Sequence, residues 1–168
     1  MVTHYTGSLA ATMAPHKVRV NGIAPGSIEF PGGDIGSLAV HGTVNDLAVA
    51  GAKARYLTLN AFIEEGFESA VLDRIVASLA AAARACDVRV VAGDTKVLRR
   101  GEGGGVYFAT TGVGVRLPGA RPSLGRIREG DAVIISGTIG DHGTAVMLAR
   151  EDFDLRGNLA SDSASVAP

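Results

Sequence analysis

Three aspartates in this sequence stand at positions where a carboxylate could bind a ligand. Asp34 follows a Gly-Gly turn, Asp94 follows an apolar run and a glycine, and Asp46 lies inside an apolar helical stretch. No cationic residue stands three or four positions from Asp46, so an ion pair along its helix is excluded. Mg²⁺ is held by a few carboxylates together with phosphate oxygens and water. The pattern therefore predicts that Asp34, Asp46 and Asp94 converge on one divalent ion.

Lys96 stands two residues after Asp94, so both side chains point to the same face if this stretch is a strand. An ammonium beside a carboxylate-bound metal suits a phosphate ligand, which makes Lys96 the candidate catalytic residue. The alternative is that each aspartate is only a turn or helix-cap residue. Asn45 has the same alternative, as a solvated amide on the helix surface.

Four other features have simpler interpretations. His41 lies one turn before Asn45, and we interpret it as structural. Cys86 follows a helical stretch and is interpreted as a small apolar residue rather than a nucleophile. The glycine cluster 101–105 is typical of a mobile hairpin tip. Residues 136–143 follow a strand and precede a helix, so they form either an anion site or a tight turn.

The elements that position these residues follow from periodicity and turn chemistry. Phe67, Val71, Ile75 and Leu79 recur every four residues, which predicts a helix over 67–86. Alternation and apolar runs predict the strands, with 88–95 buried, a hairpin joining 95–100 to 106–115, and 17–24 able to pair with 54–65. The full set is helices at 3–14, 35–50 (capped by Gly51), 67–86 and 142–151, and strands at 17–24, 54–65, 88–95, 106–115 and 132–140.

Composition and charge restrict the class of protein. The 168 residues are 46% hydrophobic and 20% charged, which is typical of a chain that buries a core. The formal net charge of −1 argues against a nucleic-acid partner, and no apolar run reaches membrane-spanning length. A single cysteine is consistent with the cytoplasm. The alternation of strands and helices predicts an α/β or α+β fold.

Four motifs occur in the order and spacing of one known family: FPGGDIGSLAVHGTVNDLAVAGA at 30–52, EEGF at 64–67, VVAGDTKV at 90–97 and ISGTIGDHGTAVMLARE at 135–151. Through them, residues 30–168 resemble the HypE family of hydrogenase maturation proteins, which are carbamoyl dehydratases of the PurM/AIR-synthase-like superfamily. The resemblance implies an α+β fold. A partial PurM-like N-terminal domain would be followed by the start of a truncated second α+β domain.

The resemblance also implies ATP and Mg²⁺ as cofactors. The positions that match the family's nucleotide residues are Asp34, Asn45, Asp46, Asp94, Thr95 and Lys96, with Asp34, Asp46 and Asp94 as metal ligands. It implies a homodimer formed through the N-domain sheet. The implied partners are a HypF-like carbamoyltransferase, which loads a C-terminal cysteine, and a HypC/HypD-like iron-carrying complex. The product would be the cyanide ligand of [NiFe]-hydrogenases, made by dehydrating a thiocarboxamide to a thiocyanate.

The sequence departs from that family in two ways. The family's C-terminal cysteine has no match here, so we expect a fragment without full activity. Residues 1–33 resemble the C-terminal half of a short-chain dehydrogenase, although the Tyr-x-x-x-Lys pair and the cofactor glycines are missing. The alternatives are thus an NAD(P)-dependent dehydrogenase fragment or an inactive dimerising module. The predicted division is 1–33, an ATP-binding N-domain at 34–115, a linker at 116–131 and the second domain from 132 to 168.

Overall fold

A computed structural model describes residues 20–21, 29–30, 32–150 and 159–167 of the chain. The predicted helix at 3–14 lies outside these residues. In chain order the described elements are β1 (Val20–Asn21), β2 (Glu29–Phe30), β3 (Gly33–Asp34), α1 (Ile35–Val49), β4 (Ala52–Glu64), α2 (Ser69–Ala85), β5 (Arg89–Leu98), β6 (Val106–Arg116), a 3-10 helix (Leu124–Arg126) and α3 (Asp141–Arg150). This mixture of helices and strands confirms the predicted α+β class.

The main sheet has four strands in the order β1-β6-β4-β5. β4 is central; it pairs in parallel with β5 and antiparallel with β6. A parallel pair needs a crossover, and α2 provides it between β4 and β5. β2 and β3 form a separate two-stranded hairpin directly before α1.

Two predicted strand pairings are wrong because β4 is already paired on both sides, with β5 on one and β6 on the other. The hairpin expected between 95–100 and 106–115 does not form, since β4 lies between β5 and β6. The strand expected at 17–24 was to pair with β4. Its described part, β1, pairs instead with Thr110 and Thr111 of β6. Residues on both sides of the predicted boundary at 33 therefore share one sheet.

The core lies between the sheet and the helix pair α1 and α2. The helical period predicted for α2 is confirmed at Ile75 and Leu79, which are buried, whereas Phe67 and Val71 are only half-buried. Gly51, with φ +76°, follows α1 as the predicted terminating glycine. The largest fully buried side chains are Phe108, Ile35, Leu57, Ile75, Val40, Val44 and Val106.

Two predicted strands differ from expectation. The stretch 88–95 was expected to be buried, but β5 is exposed along nearly its whole length because α1 packs against β6 and β4 rather than against this edge strand. Residues 132–140 form no strand, and Val133 and Ile134 are 93% and 88% exposed. A strand needs a partner for its backbone N–H and C=O groups, and the described residues supply none there.

The helix predicted at 142–151 is confirmed over its described part as α3. Among the helices that the structure describes, none has both the length and the apolar character needed to cross a membrane.

Candidate functional site

Asp34 is the N-cap of α1. Its carboxylate accepts the backbone N–H of Ser37 at 3.0 Å, and its own N–H donates to the Ser37 hydroxyl at 3.1 Å. This reciprocal pair satisfies donors that a helix start leaves open. The capping alternative raised by the sequence therefore describes what Asp34 does in this structure.

Asn45 holds a distant part of the chain. Its side-chain amide donates to the Ala164 carbonyl at 2.9 Å and accepts the Val166 N–H at 2.9 Å. Both ends of the amide are thus used by the segment 159–167. Asn45 is therefore not simply a solvated amide, since it has a specific structural role. The sequence could not predict this role, because 119 and 121 residues separate Asn45 from its two partners.

The three aspartates do not gather into one site within the chain. Asp34 and Asp46 stand at the start and near the end of α1, so about 18 Å of helix separates them at 1.5 Å per residue. Asp94 lies on β5. Among the described residues there is no group of three His, Cys, Asp or Glu placed to hold a metal ion. Within one chain the three aspartates therefore do not form such a group among the described residues, and their role as metal ligands stays a prediction.

β5 presents Asp94, Thr95 and Lys96 on an exposed edge strand. The register pairs Asp94 with Asn60 and Lys96 with Phe62, so the carboxylate and the ammonium belong to the same face of the sheet. One oxygen of Asp94 accepts the Thr95 N–H at 2.9 Å. Asp94 and Thr95 also line a shallow depression of about 480 Å³ between β4 and β5. This arrangement can offer a carboxylate to a cation and an ammonium to a phosphate.

Glu64 is a structural residue that the sequence reasoning did not single out, although it begins the EEGF motif. It ends β4, and its carboxylate accepts backbone N–H groups of the glycine loop from Gly101 at 2.5 Å and Gly105 at 2.8 Å. These two bonds, from Gly101 first and Gly105 second, lower the pKa of Glu64 below its ordinary value of 4.5. The loop that follows β5 is therefore tied to the central strand.

We expect Glu64→Gln to remove a pH-dependent part of the stability. Because the folded pKa lies below the ordinary value, the ionised carboxylate favours the folded state above pH 4.5. That contribution is lost as the pH falls through the folded pKa. Thermal unfolding midpoints should differ between wild type and variant at pH 7 and converge once the pH has fallen below the folded pKa of Glu64. Glu65→Gln, at the exposed neighbouring residue, is the control; an equal pH dependence in both variants would contradict the role of Glu64.

The glycine turn before α3 binds an anionic group of the same chain, the carboxylate of Asp162. The Asp162 carboxylate accepts the His142 N–H at 2.8 Å and the Gly140 N–H at 3.1 Å. The His142 N–H is the main cause of the lowered pKa of Asp162. The His142 ring is hydrogen-bonded to the Ser161 hydroxyl at 2.9 Å and packs edge-on against Phe30 at 4.9 Å. The segment 159–167 therefore connects α3 to α1.

Two side chains keep their structural interpretation. His41 Nδ1 is buried without a hydrogen-bond partner in the part of the chain that the structure describes, and burial lowers the pKa of His41. Cys86 is half-buried and packs against the hydrophobic core, as its interpretation as an apolar residue requires.

Comparison with known proteins places the chain in a family. Residues 7–116 match the model for the N-terminal domain of AIR synthase related proteins. This match includes most of the segment 1–33, for which a dehydrogenase-like pattern was noted. The carbamoyl dehydratase HypE of Azotobacter vinelandii is 54% identical over 134 residues, which are 80% of this chain and 39% of that protein. The chain thus spans about two fifths of the length of that curated relative.

Solved structures agree with this likeness. A HypE structure in complex with ATP is 45% identical, with a TM-score of 0.82 over 88% of this chain and 44% of that one. A HypE–HypF complex is 47% identical, with a TM-score of 0.83 over 90% of this chain and 48% of that one. The chain belongs to the AIR-synthase-related family, whose N-terminal domain it carries, and it is similar to HypE hydrogenase maturation proteins.

Proposed function

We propose that this chain is the nucleotide-binding part of a HypE-type carbamoyl dehydratase. The observation that carries the proposal is the likeness, at 45% identity, to a HypE structure that contains ATP. In the proposed reaction, ATP phosphorylates the amide oxygen of a thiocarboxamide. This turns a poor leaving group into a good one, and loss of phosphate then leaves the thiocyanate. Catalysis of this kind rests on holding the phosphates and offsetting their charge.

Asp94, Thr95 and Lys96 are the residues through which we propose nucleotide binding, and Asp46 remains in the proposed set. Asp34 and Asn45 also stay in the set, although in this structure Asp34 caps α1 and Asn45 bonds the segment 159–167. The donor set suits a nucleotide-borne ion: Mg²⁺ needs only one or two protein carboxylates when phosphates and water supply the remaining ligands. When bound, Mg²⁺ would offset phosphate charge. Lys96 would contact a phosphate oxygen, and the Thr95 N–H would keep Asp94 oriented.

The proposed assembly is a homodimer formed through the sheet. Tyr56 of β4 and Val113 of β6 are paired neighbours and substantially exposed, as is Val115. Exposed apolar side chains on a sheet favour burial against another surface. A HypF-like carbamoyltransferase is the proposed partner, in line with the solved HypE–HypF complex, and a HypC/HypD-like complex is proposed as acceptor. We place this assembly in the cytoplasm.

Calorimetric titration with a non-hydrolysable ATP analogue, with and without Mg²⁺, tests the proposal. We expect Mg²⁺-dependent binding, and Asp94→Asn should weaken it by about tenfold or more because a charged ligand group is lost. Asp73→Asn, at an exposed position of α2, is the matched control and should bind as wild type does. Absence of binding at every concentration, with the dimer intact, would contradict the proposal and favour an inactive dimerising module.

A further inference from the structure

The end of β6 and the loop after it, residues 116–128 and here called the loop, carry a local excess of positive charge although the net charge of the chain is close to zero. Residues 116–128 contain four arginines and no aspartate or glutamate. Arg116, Arg121 and Arg126 recur at intervals of five. The ion pairs among the described residues are formed by Lys53, Arg55 and Arg74, none of which belongs to this loop. The three loop arginines therefore have no carboxylate partner in the part of the chain that the structure describes.

The loop is held in place by hydrogen bonds to backbone carbonyl groups. The Leu117 N–H donates to the Gly51 carbonyl at 2.9 Å, which ties the loop to the C-terminal turn of α1. Arg116 donates from Nε and Nη2 to the Ala120 carbonyl at 3.3 and 3.2 Å. Arg126 donates from Nη1 to the Arg121 carbonyl at 3.2 Å. Two guanidinium groups are thus oriented in advance, which lowers the entropy lost when a ligand binds them.

Residues 116–123 and Arg126 line a concave surface of about 760 Å³, which we call the arginine bay. Two apolar side chains stand beside it in the chain: Leu124 is 87% exposed and Ile127 is 68% exposed. Arginine is enriched at protein interfaces, and exposed apolar side chains favour burial against another surface. A phosphate backbone would use the arginines but not the apolar pair.

We propose that the arginine bay docks an acidic peptide segment of a partner protein, one that carries glutamates or aspartates and an apolar residue. The planar guanidinium groups match carboxylates in a two-point geometry. Leu124 and Ile127 receive the apolar residue of the segment. The proposal does not depend on the nucleotide site.

The test is fluorescence anisotropy of the whole chain with a short labelled peptide of glutamates interrupted by leucines. We expect binding that weakens with added salt, and no binding of the matching lysine–leucine peptide. The double variant Arg121→Glu/Arg126→Glu should weaken binding by about tenfold or more, since rim charges become repulsive. Leu124→Ser should weaken it severalfold without changing the salt dependence. Arg99→Glu, an exposed arginine elsewhere, should leave it unchanged.

Three results would overturn the proposal. The first two are equal binding of both peptides and an unchanged affinity in the Arg121→Glu/Arg126→Glu variant. The third is equally tight binding of a single-stranded oligonucleotide, which would make the bay a general polyanion surface. Because these arginines are exposed, unfolding midpoints should be the same in all variants. A lowered midpoint in the double variant is checked with Arg121→Gln, which removes one charge and leaves Arg126 in place. Wild-type affinity in that variant would also contradict the proposal.

Discussion

Replacing Gly36 with alanine is expected to destabilise the protein by about 3 kcal/mol, because α1 and α2 touch at this glycine. A Cβ atom at Gly36 would lie 2.2 Å from the carbonyl oxygen of Ile75 and 3.0 Å from the backbone N of Leu79. Both are backbone atoms of α2, so no side-chain rotation relieves the clash. The two helices must separate, and Ile35 and Ile75 then lose part of their burial.

Intrinsic helix propensity acts in the opposite direction, since alanine is favoured over glycine by about 1 kcal/mol inside a helix. A fall in the unfolding midpoint of about 10 °C would therefore be the net effect, in which the clash outweighs the gain in helix propensity. Gly143→Ala in α3 is the matched control, because nothing lies within 4 Å of the new Cβ there. We expect that variant to be as stable as wild type or more so. Equal midpoints for Gly36→Ala and wild type would show that the helices do not meet as described.

Replacing Gly93 with alanine is expected to detach β5 from β4. A Cβ atom at Gly93 would lie 1.9 Å from the Leu59 carbonyl oxygen, its register partner across the parallel pair. Because β5 is an edge strand in the described sheet, the strain is relieved by local opening rather than by global unfolding. Amides of β5 should exchange with deuterium about a hundredfold faster, which corresponds to roughly 3 kcal/mol.

The same change should abolish nucleotide binding under the proposed function, since Asp94 and Lys96 lie on the displaced strand. Exchange at α1 and α2 should stay close to wild type, which separates this variant from Gly36→Ala. Gly137→Ala, where no atom lies within 4 Å of the added Cβ, is the control. Unchanged exchange in β5 would contradict the close approach of the two strands.

The local elements could be predicted because their signals are local. The period of four in α2, the glycine that follows α1 and the long run of strand-forming residues in β4 are each signals of a few neighbouring residues. Side-chain burial along a helix or strand obeys the period of that element wherever it packs. The family likeness rests on short motifs of the same local kind.

Strand order and side-chain partners depend on contacts between residues far apart in the chain. The pairing of β6 with β4 rather than β5, the exposure of β5, and the bonds of Glu64 to Gly101 and Gly105 have no local signature.

The aspartates show the same division. By itself the sequence determined that carboxylates stand at element ends and inside α1. Only the tertiary structure decided that Asp34 caps α1 while Asp94 stands on an exposed strand. The physical reason is that spacing along the chain fixes which face of an element a side chain occupies, whereas the packing of elements fixes which faces meet.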